Sequence, residues 1–269
     1  MKAILPLLLT ATLAGGLWAV SHRGEAAAAQ PPIPMPSVRP LPVGPSGALV
    51  RAGADLVAHM PERLKGRIGS KLTCTNCHLN GGTQAEAAPW VGVSRWYPVY
   101  RPRSGKVDDL GDRVNDCVER SLNGKALAKN SKEMTSILAY MDWLSQDVPQ
   151  GRDVVGRGFG TMPSRVGDAG RGKGLYAQKC AACHGPTGQG NATFPPLWGP
   201  HSYTIGAGMG RWRTAGAFIK ANMPFGQGHS LSEADAVDIA AFVDRQPRPD
   251  FPGKKGDWPK GGRPADTPY

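Results

Sequence analysis

The sequence predicts a mainly α protein built from two copies of one small module joined by Gly/Pro-rich loops, and three observations predict it. The motif C-x-x-C-H occurs twice, as Cys74-Thr-Asn-Cys77-His78 and as Cys180-Ala-Ala-Cys183-His184. A sulfur-bearing residue follows each histidine by 39 positions, Cys117 after His78 and Met223 after His184, so both pairs repeat at an offset of 106. Each of these sulfurs is followed by a stretch with helical apolar spacing.

The C-x-x-C-H spacing is that of covalent c-type haem attachment. The two thiols form thioethers with the haem vinyl groups, and the adjacent His is thereby placed under the iron as proximal ligand. One copy alone would also fit a redox cysteine pair, but two copies, each with its His, point to two covalently bound haem c groups. A helix, the motif, a long loop carrying the distal ligand and a C-terminal helix are the parts of a class I cytochrome c domain. The predicted fold is two such domains in tandem, each wrapped around one haem. Composition agrees: 36 Gly, 25 Pro and only 7% aromatic residues in 269 make a thin core that two haems would complete. Collagen and coiled coil are excluded because no G-X-Y or heptad period runs through the chain. Five cysteines exclude a disulfide scaffold, and a single long apolar stretch excludes a membrane bundle.

Taken in order, residues 1–29 read as an export signal. Lys2 gives a positive start, Ala3 to Val20 the apolar stretch, and Ala27-Ala28-Ala29 a cleavage site before Gln30; an uncleaved anchor is the alternative. Either reading puts the working part outside the cytoplasm. Residues 30–150 form the first domain, with a Pro-rich extended segment over 30–50. Cys117 falls on a helix whose one face carries Val114, Val118 and Ser121, which turns its sulfur towards the haem. A further helix runs from Ser131 to Leu144 with Met134, Ile137, Leu138 and Met141 on one face. Rivals to Cys117 as distal ligand are His59, Met60 and Met134.

Residues 151–168 read as a linker containing Gly156-Arg-Gly-Phe-Gly160. Gly167-x4-Gly172-Lys173 imitates a phosphate-binding loop, but Gly174 replaces the required Ser/Thr and no strand precedes it. The second domain occupies 169–246, opening on a helix from Gly170 to Lys179. Ser232 and Asp235 make a helix-start signature before the apolar face Ala236, Ile239, Ala240 and Val243. Rivals to Met223 are Met209, His201, His229 and Lys220. Residues 247–269, rich in turn formers, read as a flexible tail.

The ligand sets differ in consequence. Met/His ligation raises a haem potential, whereas a thiolate stabilises ferric iron and lowers it. Two unlike haems suggest one for chemistry and one for passing electrons on. The net charge is +11, and +10 without residues 1–29, which favours an anionic substrate or an acidic partner. An exported chain without a binding motif speaks against nucleic acid.

Longer motifs add a resemblance. Cys74-Thr-Asn-Cys77-His78-Leu-Asn-Gly-Gly-Thr83, Tyr100-Arg-Pro-Arg103-Ser-Gly-Lys106, Arg113-Val-Asn-Asp-Cys117-Val-Glu-Arg-Ser121-Leu-Asn-Gly-Lys125 and Ala139-Tyr-Met-Asp-Trp143-Leu-Ser145 stand in the first half, and Asn222-Met223-Pro224 in the second. Over nearly the whole exported chain the sequence resembles periplasmic dihaem thiosulfate dehydrogenases of the TsdA type. That resemblance implies an enzyme interconverting two thiosulfate ions and one tetrathionate. It implies His78 and Cys117 at a catalytic haem, and His184 and Met223 at a haem delivering electrons to a cytochrome c or similar acceptor. Arg103 and Ser121 match best the arginine and serine that the family places near the first haem. Because two dianions repel, a cationic pocket is needed, with Arg101, Arg103, Arg113, Arg120 and Lys125 as candidates. Asn222 stands where some members have Lys before the Met ligand, which speaks against ligand exchange. Three alternatives remain at this level: a dihaem electron carrier without its own substrate, a sulfur-oxidation cytochrome that loads thiosulfate onto a carrier protein, and a cytochrome subunit delivering electrons to another dehydrogenase.

Overall fold

A computed structural model describes residues 30–37 and 39–269; the export-signal reading of 1–29 lies outside the described residues. Among the described residues, six helices of eleven residues or more carry the architecture: α1 (Ala48–Ala58), α2 (Leu110–Arg120), α3 (Lys132–Ser145), α4 (Ala169–Lys179), α5 (Trp212–Asn222) and α6 (Glu233–Asp244). A small antiparallel hairpin, β1 (Val99–Arg101) and β2 (Lys106–Asp108), is inserted between the first C-x-x-C-H motif and α2. No helix among the described residues is long and apolar enough to cross a membrane.

The helices start where local chemistry dictates. Asp109 caps α2 reciprocally with Asp112: its carboxylate accepts from the Asp112 N–H at 2.8 Å, and the Asp112 carboxylate accepts from the Asp109 N–H at 3.1 Å. Ser131 caps α3 by accepting from the Met134 N–H, and Ser232 caps α6 by accepting from that of Asp235. Such caps satisfy donors that have no partner inside the helix.

Packing repeats the modular plan. The opening helix of each half crosses its closing helix, α1 on α3 and α4 on α6. Both crossings need glycine for close approach. A Cβ on Gly53 would stand 2.0 Å from the Ser136 carbonyl oxygen, and one on Gly172 would stand 1.9 Å from that of Asp238. The apolar residues expected on α3 and α6 form these seams: Met134, Ile137 and Met141 are buried in the first core, and Ile239 and Val243 in the second.

Three expectations from the sequence need correction. The halves are not independent beads on a linker. Tyr203, Ala207 and Met209, from the long loop of the second half, pack into the first core, while the Lys71 N–H donates to the His201 carbonyl and the Thr204 N–H to that of Arg120. The linker is itself held: Gly156 and Gly158 carbonyls accept from the Glu86 and Ala88 N–H groups at 2.7 and 2.8 Å. Nor is 247–269 a loose tail. Phe251 is buried, the Ile205 N–H donates to the Pro249 carbonyl, and the Asp257 carboxylate is clasped by Arg103 and Arg120. A composition rich in turn formers fixes backbone angles, but two anchoring side chains decide whether the segment docks. The segment over 30–50, expected to be extended throughout, turns helical at Ala48.

Candidate functional site

Both C-x-x-C-H motifs fold as one tight turn. The His78 N–H donates to the Cys74 carbonyl and the His184 N–H to the Cys180 carbonyl, each at 3.0 Å. A bond spanning four residues places the first Cys and the His on one side of the turn. In each motif the histidine ring is then oriented from behind. His78 Nδ1 lies 2.7 Å from the Ala88 carbonyl oxygen and His184 Nδ1 lies 2.9 Å from that of Pro195. A carbonyl only accepts, so Nδ1 carries the proton and Nε2 keeps its lone pair for a metal. Burial pulls the His78 pKa down to about 4 and lowers that of His184, which keeps both rings neutral and able to ligate. Trp90 packs on the His78 ring with centroids 4.7 Å apart.

In the first half these groups open onto a cavity. Cys74, Cys77 and His78 line it together with Cys117 and Ser121, and apolar groups such as Leu72, Val114 and Met141 complete its walls. Two thiols for thioether bonds, a neutral imidazole, a further sulfur and an apolar lining form the donor set that a covalent haem requires. Of the rivals to Cys117, His59 is exposed and paired with Asp55, while Met60 and Met134 are fully buried in the core and do not line the cavity. One turn before Cys117 on α2, Arg113 Nη1 reaches its sulfur at 3.0 Å. The charge at Cys117 holds Arg113 above its already high ordinary pKa against the opposing effect of burial. Arg101, hydrogen-bonded to the Tyr97 hydroxyl at 3.3 Å, also lines the cavity.

Arg103 does not line this cavity. It lies in the turn of the hairpin and donates to Asp257 at 2.9 Å, to the Gly206 carbonyl at 2.7 Å and to the Tyr269 hydroxyl at 2.6 Å. Arg120 and Lys125 are likewise absent from the lining, and Arg120 shares Asp257 with Arg103. The local sequence carries no sign of three lining residues from elsewhere: Tyr203 and Met209 come from the second half, and Arg157 from the linker. Arg157 is held by Asp153, with its guanidinium 4.2 Å over the Trp96 ring. The shared core brings Tyr203 and Met209 to the first haem site, and the bonded linker brings Arg157.

Cys180, in the second half, packs against the core of Tyr176, Trp198 and Ile239. Met223 follows directly on the last residue of α5. Three of its four rivals are engaged elsewhere, and the fourth, His201, is exposed. Met209 lines the first cavity, Lys220 Nζ donates to the His229 and Leu231 carbonyls at 2.9 and 2.6 Å, and His229 pairs with Glu86 at 3.2 Å.

Two motif turns, each with an oriented imidazole, on two like helical modules define a dihaem c-type cytochrome. Family comparison agrees: residues 65–150 match the model described as SoxA/TsdA, cytochrome c domain, and residues 167–243 that of cytochrome c oxidase, cbb3-type, subunit III. The chain therefore consists of two cytochrome c domains that carry two covalently bound haem c groups. It is 42% identical over 261 residues to a thiosulfate dehydrogenase of Psychrobacter arcticus, covering 94% of this chain and 80% of that protein. It is 41% identical over 262 residues to one of Allochromatium vinosum, covering 92% and 97%. Among solved structures, thiosulfate dehydrogenase (TsdBA) from Marichromatium purpuratum superposes with a TM-score of 0.76 at 37% identity. That match covers 84% of this chain, which spans about half (51%) of the solved one. This chain belongs to the thiosulfate dehydrogenase family.

Proposed function

We propose that the protein is a periplasmic enzyme that joins two thiosulfate ions into tetrathionate, reversibly, at the first haem site, and hands the electrons through the second to an external cytochrome-type acceptor. Family membership supports the reaction. The observation that carries the site assignment is the lining of one cavity by His78 and Cys117, with a guanidinium 3.0 Å from the Cys117 sulfur. Cys74 and Cys77, and Cys180 and Cys183, are assigned to thioether attachment. His78 with Cys117 would hold the iron of the first haem, and His184 with Met223 that of the second.

In the reaction two thiosulfate ions form one sulfur–sulfur bond and release two electrons, with no proton taken up or given off. When bound, the two haems supply one-electron sites that between them take that pair. The residues of the chain have to overcome the approach of two dianions, which costs about 4 kcal/mol per unit-charge pair at ~4 Å and an effective dielectric of ~20. Arg113 and Arg101, with Arg157 from the linker, bring three positive charges to the cavity wall, and each can hold an oxyanion through its fork of N–H donors. Ser121, one turn beyond Cys117, offers a hydroxyl to the same space. Cys117 would hold the iron of the first haem, with the Arg113 guanidinium 3.0 Å from its sulfur. Arg103 acts from behind, fixing the hairpin against the C-terminal segment.

An anaerobic titration of the oxidised dihaem protein with thiosulfate, following the haem bands and assaying tetrathionate, tests the reading. Haem reduction with tetrathionate formed is expected. Ferric haems after thiosulfate, together with no reoxidation of the reduced protein by tetrathionate, would overturn it.

A further inference from the structure

The loop that orients His78 also touches the residue before Met223. The Ala88 carbonyl holds His78 Nδ1 at 2.7 Å, and two residues earlier the Glu86 carbonyl accepts from Asn222 Nδ2 at 3.1 Å. Asn222 is buried, and the same amide nitrogen donates to the Phe218 carbonyl at 3.2 Å, which fixes the side chain against its own helix. The loop itself is under tension. Glu86 and Ala88 have φ of 57° and 47°, a left-handed conformation that a residue with a Cβ adopts only at a cost. Hydrogen bonds from outside the loop oppose its relaxation, among them two to the linker carbonyls on one side and that from Asn222 on the other.

Given the axial ligands assigned above, we infer that Asn222 is a positioning residue that couples the two haem sites, by clamping the loop whose carbonyl sets the His78 hydrogen bond. The bond to Nδ1 of a ligating histidine tunes its basicity and hence the metal it holds. Loss of the clamp lets Glu86 leave its strained conformation and carries the Ala88 carbonyl with it. A change made beside Met223 in the second module is therefore felt at the proximal ligand of the first. The Glu86–His229 ion pair, exposed on both sides, is not the carrier, since surface pairs contribute little.

The test is a redox titration, with electron paramagnetic resonance spectra, of the dihaem protein and its Asn222→Ala and Glu86→Gln variants. The wild-type spectrum by itself reports the ligand pairs, so failure of that assignment is seen before any variant is compared. Asn222→Ala is expected to shift the midpoint potential and the resonance signal of the first haem. Glu86→Gln, which keeps the Glu86 carbonyl, should leave both at their wild-type values. If Asn222→Ala does not load haem, Asn222→Ser replaces it, being too short to reach the Glu86 carbonyl. A first-haem signal and potential unchanged in the Asn222 variant would overturn the coupling, whatever happened at the second haem.

Discussion

Arg113 Nη1 stands 3.0 Å from Cys117 Sγ, one helical turn apart on α2. At this distance the guanidinium brings a positive charge and a hydrogen-bond donor to the sulfur. The spacing of four residues is what allows it: on a helix, positions i and i+4 share a face. Arg113→Leu removes both the charge and the donor. The expected loss is about 1.5–3 kcal/mol, roughly 10- to 100-fold in kcat/KM. Arg113→Lys should keep part of the activity, since the charge remains and the fork is lost. Steady-state kinetics with thiosulfate, beside the spectrum of the first haem, checks both.

Cys117 itself is the sharper case. Cys117→Gly deletes the sulfur without touching either C-x-x-C-H turn, so both haems should attach and turnover should disappear. Cys117→Met replaces a thiolate by a neutral thioether and should raise the potential of the first haem. Near-normal turnover of the glycine variant, with both haems confirmed by mass, would remove Cys117 from the chemistry.

Much of this site is legible in the sequence because its chemistry is local. Two C-x-x-C-H motifs, the repeated interval of 39 and the helical spacing around Cys117 are relations within short stretches. The hydrogen-bond partners of the two histidines are not legible, since a backbone carbonyl carries no residue signature. Arg157, Tyr203 and Met209 are hidden for another reason: Tyr203 and Met209 reach the first cavity because the second half's loop is part of the first core, and Arg157 because the linker is bonded to the loop of Glu86 and Ala88. Arg103 is obscured in the same way, since its motif suggests the haem while its side chain is held by Asp257 and Tyr269, more than 150 residues away. The C-terminal segment reads as loose in sequence because one carboxylate, Asp257, outweighs the composition around it.

Asp257 should accordingly be a stability hot spot. Its side chain is 4% exposed and faces two guanidinium groups, of Arg103 and Arg120. Removing one partner of such a buried pair leaves its opposite charges uncompensated, typically at about 3–5 kcal/mol. Asp257→Ala is expected to lower the melting temperature of the dihaem protein by roughly 6–12 °C for about 3 kcal/mol. The pair also predicts acid sensitivity. Burial pulls the Asp257 pKa up, but the hydrogen bonds from Arg120 and Tyr269 and the charge of Arg103 outweigh it, so the net shift is downward from 3.8. A depressed pKa stabilises the fold above the unfolded value, and that stability is lost as pH falls through the folded one. The wild-type protein should therefore lose stability below about pH 4, and Asp257→Ala should show less of that loss in a melting series over pH.

Asp244 predicts the opposite slope on the neutral side. It closes α6, where the helix dipole disfavours an anion, and its carboxylate is wedged between Arg248 at 3.7 Å and the Tyr203 hydroxyl at 3.4 Å. One of its oxygens has no hydrogen-bond partner. Burial raises its pKa from 3.8 to about 7, helped by Asp266 and opposed by Arg248 and Tyr203. A carboxyl whose folded pKa lies above its unfolded one binds a proton more readily in the native state. Stability must then fall as pH rises from 3.8 to about 7, and above that the full penalty of a buried charge applies. A tenfold difference in proton affinity between the folded and unfolded chains is worth about 1.4 kcal/mol, so the whole effect amounts to a few kcal/mol. Asp244→Asn carries no proton to lose and is expected to flatten this arm of the melting curve. The variant should be more stable than wild type on the alkaline side of neutrality and close to it in mild acid. Parallel pH profiles for the two proteins would show that the slope arises elsewhere.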